Sequence, residues 1–170
     1  HPFEVVVGIS PAFGSKIFKT LAGHKLSSVL KALHAGIIDG GAVMRLVKFW
    51  HTADTSFLGL SAARISGSGI GIGLQAKGTA VIHHKSRLPH NNLELFSNAP
   101  ITKLNHYERM GYNAARYCKK ELPDPVIVPT KGEALGARFH ARVALIYAIE
   151  TSMTTDNAAP ELLDFTFLEA

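Results

Sequence analysis

Four glycines at every second position, Gly67, Gly69, Gly71 and Gly73 in SGSGIGIGLQAKGT (66–79), are the first residues whose spacing could do chemistry. Glycine-rich loops cradle phosphates. A dinucleotide fingerprint needs G-x-G-x-x-G between a strand and a helix, and the third glycine here is out of register. A Walker loop needs Lys after its last glycine, but the Gly73–Gly78 spacing is followed by Thr79. Both motifs fail. A strict two-residue period reads instead as a strand, with Ile70, Ile72 and Leu74 toward a core. Its glycine face lets another backbone, or a flat ligand, come very close.

Nine histidines invite a metal centre, yet none forms H-x-x-x-H or H-E-x-x-H. His83 and His84 are adjacent, so on a strand they face opposite ways and cannot chelate together. No metal site is expected. No G-x-S-x-G elbow appears, and no catalytic residue is assigned. The single cysteine, Cys118, sits in a helical pattern and reads as packing. Three polar residues could contact a ligand. Asp54 lies just past a strand's carboxyl end, where open α/β sheets place ligand contacts, although an Asp there equally caps a turn or helix. Lys77 lies between two strand-like segments, where a lysine is ordinarily solvated. Asn92 in HNNLELF serves equally as a contact or a helix cap.

These residues need a frame. FEVVVGI (3–9) has the β-branched pattern of a buried strand. Leu26, Val29, Leu30, Leu33 and Ile37 recur at helical spacing, and DGG (39–41) stops them. VMRLVKFW (43–50) returns to strand, HTAD (51–54) turns, and 56–65 is ambiguous between strand and helix. The glycine strand and TAVIHH (79–84) follow. Residues 85–100 read as a loop with one helical turn, and Leu104, Tyr107, Gly111 and Ala114 mark a helix to about Lys120. LPDPVIVPTKGEALG is a connector before a last amphipathic segment from about Ala137 to Thr151. The order predicts an α/β fold, three-layer α/β/α, with a mixed, mainly parallel central sheet. One domain is expected over residues 1–170, its core about 3–151 and its tail 152–170.

Charged residues make up 18% of the 170, below the usual quarter, which suits a subunit. The net charge is +5, but no run of five basic residues exists and no aromatics interleave with them, so no nucleic-acid partner is expected. No apolar stretch of about 18 residues spans a membrane. No signal peptide is seen, and a lone cysteine fits a reducing, cytoplasmic setting. The chain starts at His1, so a segment is expected before it.

Three ordered stretches carry a resemblance: RISGSGIGIGLQAKGTAVIH (64–83), LPHNNLELFSNAP (88–100) and YERMGYNAARYCKKELPDP (107–125). Their signatures are the alternating glycines, QxKGT-x-VIH, NLELF-x-x-AP and NAARY-x-K-x-x-x-P. Together they closely resemble the medium (β) subunit of adenosylcobalamin-dependent diol and glycerol dehydratases. The resemblance covers about 4–151 and is densest over 64–121.

The resemblance implies a lyase of large, medium and small subunits, two copies of each, served by a dehydratase-reactivating factor. Adenosylcobalamin would be held base-on between this chain and the large subunit, whose barrel carries the radical conversion of a 1,2-diol or glycerol to an aldehyde and water. The absence of D-x-H-x-x-G agrees with the base-on mode. A cytoplasmic location is implied, with a bacterial microcompartment as its further form. Family cofactor contacts fall on Asp54, Lys77 and Asn92, and more weakly on His90 and Ser97, where the family's typical residue differs. Arg138 stands out of register for a contact arginine, and Val143 replaces a contact serine. The rival reading is the small subunit of a dehydratase-reactivating factor, a chaperone-like chain with a related fold and no cofactor site. The Asp54, Lys77 and Asn92 set argues against it. The glycine face is expected to be covered by a packed helix rather than by corrin.

Overall fold

A computed structural model describes residues 1–129 and 139–164. Its elements are β1 (Glu4–Ile9), α1 (Leu26–Asp39), β2 (Val43–Lys48), α2 (Thr55–Ile65), β3 (Ile70–Leu74), β4 (Ala80–His84), β5 (Glu94–Phe96), α3 (Leu104–Cys118), α4 (His140–Ser152) and β6 (Glu161–Leu163). EVVVGI is buried at all six positions, as a strand covered on both faces must be. It lies inside a six-stranded sheet of order β5-β4-β3-β1-β2-β6. β3, β1 and β2 are parallel, and the outer pairings are antiparallel, so the sheet is mixed as expected, but parallel pairing is confined to its three central strands and does not predominate. β5 and β6, three residues each, were not legible in the loop and tail that the sequence suggested.

The connection from β1 through α1 leads to β2 on one side. The connection from β2 through α2 leads back past β1 to β3 on the other. The point where the order reverses therefore lies between β1 and β3, where open α/β sheets form a ligand crevice at their carboxyl ends.

The helices form two layers. Val5, Val7, Ile9, Ile70, Ile72 and Leu74 point into the larger core under α1 and α3. Those two helices meet almost backbone to backbone: a Cβ on Gly36 would strike Glu108, and one on Gly111 would strike Leu33. Val6, Val47, Phe49, Leu58 and Ala62 form a smaller core under α2. The ambiguous stretch 56–65 is this helix, capped by Asp54 and burying Leu58, Gly59 and Ala62.

The glycine face now has its explanation. A Cβ on Gly71 would lie 2.7 Å from the carbonyl carbon of Ala62 and closer still to the nitrogen of Ala63. A Cβ on Gly73 would lie 2.9 Å from the Cα of Gly59. Helix α2 rests on the main chain of β3, and the packed-helix expectation holds.

At the amino edge, Glu4 makes a two-pronged ion pair with Arg45, both N–O distances 2.9 Å, and accepts from the Gly67 amide. Burial pushes the Glu4 carboxyl up, but the Arg45 and Gly67 bonds outweigh it and hold the group below its ordinary value. Cys118 is buried at the end of α3, where its thiol donates to Ser68 Oγ and the Glu4 carbonyl. Burial raises its pKa, which suits packing and not nucleophilic work.

Candidate functional site

Asp54 follows β2 and is exposed at the N-cap of α2, where one carboxylate oxygen accepts from the Phe57 amide at 3.1 Å. The capping role is realised, and it leaves the second oxygen of an acceptor-only group for other donors. Asn92 meets the same helical turn: its amide nitrogen donates to Ser56 Oγ at 3.4 Å. His90 sets its ring edge-on against Phe57, centroids 5.7 Å apart. Asn92 precedes β5 and caps no helix. Asp54 and the distant loop segment that carries His90 and Asn92 thus gather around the first turn of α2.

Lys77 joins them through the turn after β3. Gln75 in that turn donates its side-chain amide to the carbonyl of Ala53, the neighbour of Asp54, at 2.5 Å. The turn is fixed from behind. Gly78 takes φ +109°, Tyr107 donates its hydroxyl to the Gly78 carbonyl at 2.7 Å, and the Leu21 amide donates to the Lys77 carbonyl at 2.9 Å. Lys77 is half-buried rather than solvated, and burial lowers its pKa. It lines a cavity of about 20 Å³ with Ala53, Gln75, Ile146, Tyr147 and Glu150. That holds a single water and no larger ligand, so a large ligand would bind across the surface here.

Among the described residues two buried acceptors lack donors, Gln75 Oε1 and Asn92 Oδ1. Such atoms are uncommon and call for a partner. With the free oxygen of Asp54 and the ammonium of Lys77, they form a donor and acceptor set suited to a ligand bearing several carboxamides. Ser97, just past edge strand β5, is exposed, and no contact among the described residues ties it to this group. Arg138 lies outside the described residues, and Val143 is half-buried on α4.

Sequence reasoning missed four members. Gln75 could have been found, since it stands two residues before Lys77 at a strand end. Ser56 follows the same logic beside Asp54. Ser10 and Glu150, which meet across 140 residues, left no local signal.

The sequence matches the family described as dehydratase medium subunit over residues 10–124. The fold is similar to a solved structure titled "Glycerol dehydratase reactivase", with TM-score 0.56 at 20% identity over 72% of this chain and 94% of that one. It is also similar to "Structure of diol dehydratase-reactivating factor complexed with ADP and Mg2+", with TM-score 0.51 at 20% identity over the same shares. At that identity the likeness is one of fold. The family match spans most of the chain, including Asp54, Lys77, His90 and Asn92, and the chain belongs to the dehydratase medium subunit family.

Proposed function

We propose that this chain is the cofactor-presenting medium subunit of an adenosylcobalamin-dependent diol or glycerol dehydratase. The observation that carries the reading is the pair of orphaned amide oxygens, Gln75 Oε1 and Asn92 Oδ1, beside Asp54 and Lys77. Corrin carries peripheral carboxamides, whose NH2 groups suit Gln75, Asn92 and Asp54 and whose oxygens suit Lys77. Adenosylcobalamin held by these residues would supply radical chemistry.

The chain's own residues bind and orient. Asp54 accepts while capping α2, Lys77 donates from a turn pinned by Tyr107, and Asn92 stays oriented by Ser56. His90, Ser97 and Arg138 are proposed as secondary contacts. The catalytic residues belong to the large subunit, which covers the other side of the cofactor. Two copies each of large, medium and small subunits form the complex, a reactivating factor services it, and its setting is the cytoplasm or a bacterial microcompartment. Among the described residues no helix is long and apolar enough to cross a membrane.

The test is a cofactor titration of the reconstituted complex. Asp54→Ser keeps an N-cap acceptor but withdraws the second oxygen and the charge. Weaker adenosylcobalamin binding with an unchanged melting temperature supports the assignment. Unchanged affinity in both Asp54→Ser and Lys77→Ala removes it.

A further inference from the structure

Helix α4 is attached in an unusual way. Among its described side chains only Glu150 is buried, at 3% exposure, while Leu145 and Tyr147 are exposed at 63% and 64%. Val143, Ile146 and Ile149 are half-buried. The most deeply anchored group of a helix whose other inward residues are Val143, Ile146 and Ile149 is therefore a carboxylate, which is costly to remove from water unless fully bonded.

That carboxylate ends in a converging set of donors. Glu150 Oε1 accepts from the Ser10 hydroxyl and, at 3.3 Å, from the Ala76 amide. Oε2 accepts from the Ala12 amide at 2.9 Å. Ser10 and Ala12 follow β1, and Ala76 follows β3, so the donors line the crevice between the two strands where the sheet order reverses. Lys48, buried at the end of β2, holds the 10–13 loop in place by donating to the carbonyls of Pro11 at 3.2 Å and Phe13 at 2.9 Å. The Ala12 amide, the Ser10 hydroxyl, an Ala76 amide shared between Ser10 Oγ at 3.2 Å and the carboxylate, and the Lys48 ammonium that feels the Glu150 charge make an oxyanion site. The cavity lined by Gln75 and Lys77 opens beside it.

We propose that the β1/β3 crevice is an oxyanion-binding site filled in this chain by its own Glu150 carboxylate, so that α4 is a plug displaceable by an external carboxylate or phosphate. One set of donors serves both, because Ser10, Ala12 and Ala76 offer three bonds to two or three oxygens. Displacement frees α4, already the least buried helix, while β6 stays paired with β2. Glu150 shares a small cavity with Lys77 and Gln75, but its donors Ser10, Ala12 and Ala76 are not among the proposed cobalamin contacts, and the test uses no cobalamin.

The experiment vacates the site and refills it. Glu150→Ala in the full chain is melted in chloride, acetate or phosphate at constant ionic strength. The expected result is a melting temperature about 2–4 °C higher in about 100 mM acetate or phosphate than in chloride, with no such rise in the unsubstituted protein. Acetate against phosphate distinguishes a carboxylate site from a phosphate site. Adding Ser10→Ala should abolish the rise. Equal melting in all three salts overturns the proposal. Should Glu150→Ala fail to fold, hydrogen exchange on the unsubstituted protein decides. Faster exchange of α4 amides in phosphate than in chloride supports displacement, and unchanged exchange overturns it.

Discussion

Substituting Gly71 tests the relation between β3 and α2 directly. A Cβ there would stand 2.7 Å from the carbonyl carbon and 2.8 Å from the Cβ of Ala62, inside the 3.4 Å at which ordinary contact begins. The obstruction includes main chain, which cannot rotate away. Helix α2 must retreat by roughly 1 Å, and in a close-packed interior that opens a gap over Val6, Val47 and Leu58. Overpacking of this kind costs about 1–3 kcal/mol. Replacing a strand glycine returns at most about 1 kcal/mol of backbone entropy. Gly71→Ala should therefore be destabilising, and Gly71→Val should lie at or above the top of the overpacking range. For a chain of this length each kcal/mol moves the melting temperature by about 2–4 °C, so for Gly71→Val, with about 3 kcal/mol of overpacking less at most about 1 returned, a fall of roughly 4–12 °C is expected. Circular dichroism melts of the isolated chain read it. An unchanged melting temperature would refute the packing argument. If cofactor affinity fell at the same time, the glycine face would belong to the ligand.

Lys77→Ala should raise the apparent Kd for adenosylcobalamin in the assembled complex about 5- to 150-fold while kcat at saturation holds, as loss of one buried polar partner implies. A normal Kd with a collapsed kcat would mean that Lys77 acts in the chemistry. The purified chain alone should turn over no diol, and mixing with the large and small subunits should restore dehydration. Tyr107→Phe leaves the buried Gly78 carbonyl without its donor and should lower stability by about 1–3 kcal/mol, read as a lower urea midpoint. The Glu4 carboxyl is held below its ordinary 4.5, so its stabilisation is present above that value and is lost as pH falls through the folded pKa. Glu4→Gln should flatten the acid limb of a stability-against-pH curve, and an unaltered limb would remove Glu4 as its source.

Elements with strong local patterns are readable in the sequence. The β-branched run of β1, the helical spacing of α1 and α3 and the two-residue period of β3 each repeat a signal over several residues. β5 and β6 carry three residues each and are strands only because neighbours β4 and β2 offer free edges, a tertiary cause with no local trace. The stretch 56–65 was ambiguous because Gly59 and small alanines blur the apolar period, and those small residues are what let α2 approach β3. At the site, Asp54 and Lys77 were visible as polar residues at strand ends. The Gln75 bond to Ala53, the contact of Asn92 with Ser56 and the seating of Glu150 depend on chain segments brought together by the sheet.

The glycine seat of α2 has a dimensional consequence. Side chains have rotamers and can settle at several heights, but main chain lying on main chain has almost no slack. Substitutions among Val6, Val47 or Leu58 would change how firmly α2 is gripped while leaving its altitude above the sheet almost untouched. The first turn of that helix, with Asp54, Ser56 and Phe57, is therefore located like a part machined against a datum plane. The polar groups on that turn gain registration from this: they stand at a fixed offset from the sheet.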